Sequence, residues 1–181
     1  MTNRIIKYRV WNIIDKKMYS SESIDLKFSN KGLVEIIFWD GANGTTDTLL
    51  WCGNGKYEGN LIPLQFTGLL DKNGKEVFEG DIVVREKDVN YLVGGDIRKY
   101  YYLIEWVNGD TFDINGGEYA GLYTGFMAKF VKTDNADSED GLGEFTPIGN
   151  GFQFENYGCE GLEVTECNVV GNIFENKELL K

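Results

Sequence analysis

The chain has 181 residues, 42% of them hydrophobic, a net charge of −11 and no histidine. This length holds one large domain or two small ones around a packed core. The missing histidine excludes Ser-His-Asp and Cys-His catalysis, histidine metal ligands and histidine pH switches. The acidic balance argues against general nucleic-acid binding, which runs on phosphate neutralisation by Lys and Arg.

With 23 Gly, 2 Pro, 11 Phe, 10 Tyr and 4 Trp, aromatic strands joined by glycine turns are expected, and the fold class is mainly β. Residues 5–19, IIKYRVWNIIDKKMY, read as strand, turn and strand, with Asp15, Lys16 and Lys17 in the turn. Residues 20–31 fit a short helix with a serine cap or a loop. LVEIIFWD (33–40) is a strand, GANGTTDT a turn, LLWC the start of a short strand and GNGKYEGN (53–60) a glycine-rich loop. LIPLQFTGL (61–69) is extended, Asp71-Lys72-Asn73-Gly74 is a tight reversal, KEVF leads on, and Glu79-Gly80-Asp81 turns the chain into IVVRE.

Residues 86–99 predict a hairpin with Gly94-Gly95 at its tip. KYYYLIEWV (99–107) is the most strand-like run; Asn108-Gly109 is expected to end it, with TFDI as its hairpin partner. A glycine-spaced aromatic region covers 116–131, an acidic mobile loop 133–144, and two or three further strands the stretch from Gly149, before a helical turn starting near Asn176. No convincing internal repeat or low-complexity linker is visible.

Charge is uneven. Residues 133–181 carry 11 acidic and 2 basic groups, a balance of −9, against −2 for residues 1–132. Such a segment suits contact with a basic protein surface, and Asp137, Glu139 and Asp140 are its candidate contact residues; solubility alone is the simpler explanation. Cys52, Cys159 and Cys167 form no CxxC pair, no signal peptide is evident and no apolar run is long enough to span a membrane. Reduced, buried thiols in a cytoplasmic protein follow as the expectation.

Each candidate site has a plainer rival. In DKNGKEVFEGD (71–81) the Asp and Asn two apart suggest a calcium loop, but Lys75 stands at the fifth position and Gly74 at the fourth, so a hairpin turn is favoured. GNG at 53–55 and 149–151 lacks the Lys-Ser or Lys-Thr of a phosphate loop and reads as turns. Asp110, Asp113 and Glu118 flank turns with no spacing that enforces a shared face. Arg85, Arg98, Lys99, Tyr101, Trp106 and Lys129 form a basic and aromatic set suited to pairing a phosphate and stacking a base. In a strand, however, Tyr100, Tyr102 and Ile104 share one face while Lys99, Tyr101, Leu103 and Glu105 share the other, so only one face can line a pocket.

Three stretches, IKYRVWNIIDKKMY (6–19), LQFTGLLDKNGKEVFEGDIV (64–83) and VVGNIFENKELL (169–180), together resemble the YopX-like family of phage and prophage proteins. The resemblance implies a small N-terminal part, α+β or β, over 1–60. It implies an SH3-like β-barrel over 61–181, with EGDIV entering a barrel strand. A long glycine- and aromatic-rich insertion at about 84–168 departs from the compact family pattern. It also implies a phage-encoded accessory protein in the host-cell cytoplasm. A non-enzymatic role without cofactor or metal is expected: binding and inhibition of a host or anti-phage defence factor. The alternative is a counter-defence sponge that sequesters a small nucleotide signal between subunits of a homo-oligomer.

Overall fold

The computed structural model describes residues 6–29, 32–38, 50–52, 56–58, 61–88, 95–114, 119–134, 145–148, 153–154, 159–160 and 162–181. The chain is mainly β, and among the described residues no α-helix occurs, only 3-10 turns at Ser21–Ser23, Val164–Glu166 and Lys177–Leu180. It divides into two compact units, Met1–Phe66 and Thr67–Lys181.

The first unit holds β1 (Tyr8–Asn12), β2 (Lys17–Tyr19), β3 (Ile24–Ser29), β4 (Gly32–Phe38), β5 (Leu50–Cys52), β6 (Lys56–Glu58) and the first half of β7 (Leu61–Leu70). Strand β1 pairs antiparallel with β2 (Val10 opposite Tyr19) and with β7 (Val10 opposite Pro63), and β3 with β4 and β5 with β6 form two further antiparallel pairs. Val10, Ile24 and Leu61 are buried together, with Tyr8, Tyr19 and Leu26 packed around them. The stretch from residue 20 thus begins with a single 3-10 turn and continues as strand over Ile24–Ser29, since Ile24, Leu26 and Phe28 have the period-two spacing of a strand. Part of the stretch read as a loop, 53–60, is also strand, at β6.

The second unit continues from β7 through β8 (Glu76–Phe78), β9 (Asp81–Asp88), β10 (Ile97–Ile114), β11 (Tyr119–Thr133), β12 (Phe145–Pro147), β13 (Gln153–Phe154), β14 (Cys159–Glu160) and β15 (Cys167–Asn172). Five of these form a sheet in the order β12-β11-β10-β9-β15, with every pairing antiparallel, and the sheet curls into a half-barrel. Val77, Val83, Tyr100, Tyr102, Ile104, Phe126, Ala128, Leu162, Val164 and Cys167 fill its concave side. Each fully buried aliphatic side chain there contributes about 1.5–3 kcal/mol.

The partner of β10 differs from the expectation. Asn108-Gly109 does not end the strand: β10 runs on to Ile114 and pairs with β11 along its length, with register shifts at Tyr101/Tyr102 and Asn108/Asp110. Gly109 is the extra residue of a bulge, which a long aromatic partner strand accommodates by local twist instead of reversal. The expected reversals at Asp71–Gly74 and at residues 79–80 are present, with Gly74 at φ 81° and Gly80 at φ 76°. Strands β9 and β10 pair from Asp88 opposite Ile97, as a hairpin requires.

Candidate functional site

The turn at residues 71–75 is a polar junction in which both Asp71 carboxylate oxygens are engaged. Asp71 is 5% exposed. Its Oδ1 accepts the amides of Asn73 (2.8 Å) and Lys75 (2.9 Å), and its Oδ2 accepts the amide of Val169 (2.9 Å) on β15. The Lys72 amide donates to the Cys167 carbonyl (2.8 Å), and Asn73 Nδ2 donates to Asn168 Oδ1 (2.8 Å). Burial by itself raises the Asp71 pKa, but the amides of Val169, Lys75 and Asn73 and the charge of Lys75 outweigh it and hold the carboxyl below the ordinary range. Aimed at amide hydrogens, these oxygens fasten the outer edge of β15, which would otherwise present unpaired backbone groups. Asp81, 1% exposed, serves the next turn in the same way by accepting the Phe78 amide at 2.8 Å.

A second device occurs twice. Asn12, at the end of β1, accepts the amides of Ile14 (2.9 Å) and Asp15 (3.2 Å) on Oδ1, and its Nδ2 donates to Asp15 (2.8 Å). Asn172, at the end of β15, accepts the amides of Phe174 and Glu175 (3.0 Å each), and its Nδ2 donates to Glu175 (2.6 Å). The words Asn-Ile-Ile-Asp and Asn-Ile-Phe-Glu therefore encode one turn, a short recurrence below the scale at which the sequence suggests repeats. Two of the three stretches that carry the family resemblance contain it.

The basic and aromatic candidates fall into two rows. On β9 and β10, Tyr100 lies opposite Arg85, which lies opposite Cys167 on β15. Tyr100 and Cys167 are core residues, and directly paired residues share a face, so Arg85 is on the concave side. Arg98, two residues before Tyr100, lies opposite Lys87, two residues after Arg85. Arg85, Lys87 and Arg98 thus extend the concave row past the end of the core. Arg85 meets Glu166 at 2.6 Å, and Arg98 Nε lies 3.8 Å from Asp96. Burial pushes the Cys167 thiol up to about 12 and also raises the Tyr102 hydroxyl above its ordinary value, and the nearby Arg85 charge opposes both shifts. At neutral pH both groups keep their protons.

The alternate row holds Lys99, Tyr101 and Leu103, opposite Glu86, Lys132 and Lys129 respectively. Lys99 pairs with Glu86 at 3.7 Å. Lys132 Nζ sits 5.3 Å from the Tyr101 ring centroid and donates to the Lys181 carbonyl (3.0 Å). Trp106 is on the concave row, opposite Phe126, with ring centroids 4.8 Å apart. Six residues beyond Tyr100, it stands roughly 20 Å along the strand from the level of Arg85 and farther from Arg98. The six candidates therefore occupy three places: Arg85 and Arg98 at the concave end, Lys99, Tyr101 and Lys129 on the other face, and Trp106 apart. Lys87, Lys132 and Glu166 join them through pairings that span up to 81 residues and leave no local mark in the sequence. Asp137, Glu139 and Asp140, the glycines at 53–55 and 149–151, and the side chains of Asp110, Asp113 and Glu118 lie outside the described residues. Among the described residues no group of three His, Cys, Asp or Glu is placed to hold a metal ion, and no helix is long and apolar enough to cross a membrane.

These features define a class: a mainly β, half-barrel protein whose most ordered motif is scaffold. The match to the YopX protein family covers residues 7–124, and the chain belongs to that family. Among solved structures it is similar to protein EF1440 from Enterococcus faecalis, at 24% identity and a TM-score of 0.48 over 98% of this chain and 99% of that one. No curated protein matches.

Proposed function

We propose that this YopX-family chain is a non-enzymatic, phage-encoded accessory protein that binds and inhibits a host or anti-phage defence factor in the cytoplasm. The observation that carries the reading is the division of charge, −9 over residues 133–181 against −2 over the rest, which suits contact with a basic protein surface. The non-enzymatic part draws support from the ionisable groups with displaced pKa values. Asp71 is bound to three backbone amides, and Tyr102 and Cys167 are buried and protonated. The test is native mass spectrometry of the protein after incubation with lysate of infected cells, followed by affinity measurement on the identified partner. The Asp137→Asn, Glu139→Gln, Asp140→Asn variant should bind at least about tenfold more weakly, an effect that shrinks as salt rises. Unchanged affinity overturns the reading.

The placement of Arg85 and Arg98 on one row favours a second reading, a sponge that holds a small nucleotide signal in a homo-oligomer. Calorimetry against cyclic and ADP-ribose-type nucleotides tests it. One class should bind and be recovered intact after heating, and a flat response across the panel overturns it.

A further inference from the structure

The end of the concave row is electrostatically frustrated. Arg98 and Lys87 are direct cross-strand partners, an arrangement in which like charges repel, and Arg85 adds a third cation two residues along the same row. The acidic groups that meet the two arginines lie toward water. Glu166 pairs with Arg85 at 2.6 Å and Asp96 lies 3.8 Å from Arg98, and both carboxylates are more than half exposed. Lys87 has no acidic partner among the described residues. Glu86, its chain neighbour, alternates to the other face and is engaged there by Lys99. The two guanidinium side chains are only 20% and 19% exposed, so water screens them less than surface arginines, and Tyr100 and Tyr102 wall the row beneath them.

From this juxtaposition we propose that Arg85, Lys87 and Arg98 form an anion subsite where β9 and β10 run past the end of the core, which takes a phosphate group of a small phosphorylated ligand. Two guanidinium forks give a phosphate directional, charge-assisted hydrogen bonds, and Lys87 adds a point charge. Glu166 occupies Arg85 when the site is empty and yields it to the incoming oxyanion. The identity of the ligand rests on the second reading above, whereas the subsite itself rests on the geometry of β9, β10 and β15.

The test titrates the full chain with inorganic pyrophosphate at low salt by calorimetry and thermal shift. Wild type should bind with an affinity that falls as salt rises. Lys87→Gln and Arg98→Gln should each weaken binding about tenfold, and Glu166→Gln, which removes the competing carboxylate, should tighten it several-fold. Lys87 is exposed, so its variant keeps the test valid if an arginine variant fails to fold. No pyrophosphate binding, or binding unchanged in Lys87→Gln and Arg98→Gln, overturns the subsite. Nucleotide binding that ignores these substitutions would leave the second reading standing without the subsite. Pyrophosphate binding at the row with no nucleotide bound would do the reverse.

Discussion

The Asp71 turn and the Arg85–Lys87–Arg98 row both adjoin β15, yet they treat charge in opposite ways. At Asp71 one buried carboxylate meets three amide donors, so the charge is fully used by the fold. At the row, three cations lie side by side, two of them face each other across a strand pair, and the Glu166 and Asp96 carboxylates beside the arginines are more than half exposed. A buried, fully paired charge belongs to scaffold; a partly paired set of like charges is what ligand sites present before a ligand arrives. Substitutions in the two places should therefore differ in sign as well as size.

The largest effect is expected at the turn. Asp71→Ala leaves three amides without their acceptor and frees the edge of β15, a loss of roughly 2–4 kcal/mol. Urea unfolding should show a lower midpoint with an unchanged slope; a loss below about 0.5 kcal/mol would mean the junction is dispensable. Next comes Gly171→Ala. A Cβ at Gly171 would collide with the Asn176 side chain, and Asn176 Oδ1 is the acceptor of the Asn172 amide. The side chain must leave its bond or the backbone must shift, so a cost of about 1–3 kcal/mol is expected in the same assay.

This contrast explains what the sequence could disclose. The 71–75 reversal was legible because Asp, Asn and Gly make their turn bonds with residues two to four positions away. The two faces of β10 were legible from alternation, and Tyr100, Tyr102 and Ile104 are indeed all buried. Two Asn-Gly pairs with the same local chemistry took different paths: Gly74 turns the chain, while Gly109 is a bulge, because β11 supplies a partner on both sides of it. Pairing partners are a nonlocal choice. The bond from Asp71 to Val169 spans 98 residues, and the meeting of Lys87 with Arg98 depends on a register that no short stretch encodes. For the same reason the sequence offers Arg85 and Arg98 without the row that joins them, and offers beside them Lys99, Tyr101 and Lys129, which lie on the opposite face.

The acid limb of stability sharpens the comparison further. The folded pKa of Asp71 lies below the ordinary 3.8, so its contribution is complete above that ordinary value and is lost as pH falls through the lower, folded one. The difference in unfolding free energy between wild type and Asp71→Asn should be constant from about pH 5 to 8 and should narrow below about pH 4. A gap that persists unchanged down to pH 2 would show that the charge on Asp71 does not stabilise the turn.

The smallest effect should have the opposite sign. Lys87→Gln removes one member of the like-charged cross-strand pair and, among the described residues, breaks no ion pair. It should raise stability by about 0.2–1 kcal/mol at low salt, and the gain should fade as salt screens the repulsion. The same substitution should weaken pyrophosphate binding, so stability and affinity would move in opposite directions at one residue. That opposition separates a binding residue from a structural one, because a lysine that served the fold would lose stability when neutralised. A Lys87→Gln protein less stable than wild type at every salt concentration would place Lys87 with Asp71 on the scaffold side and remove the distinction between the two regions.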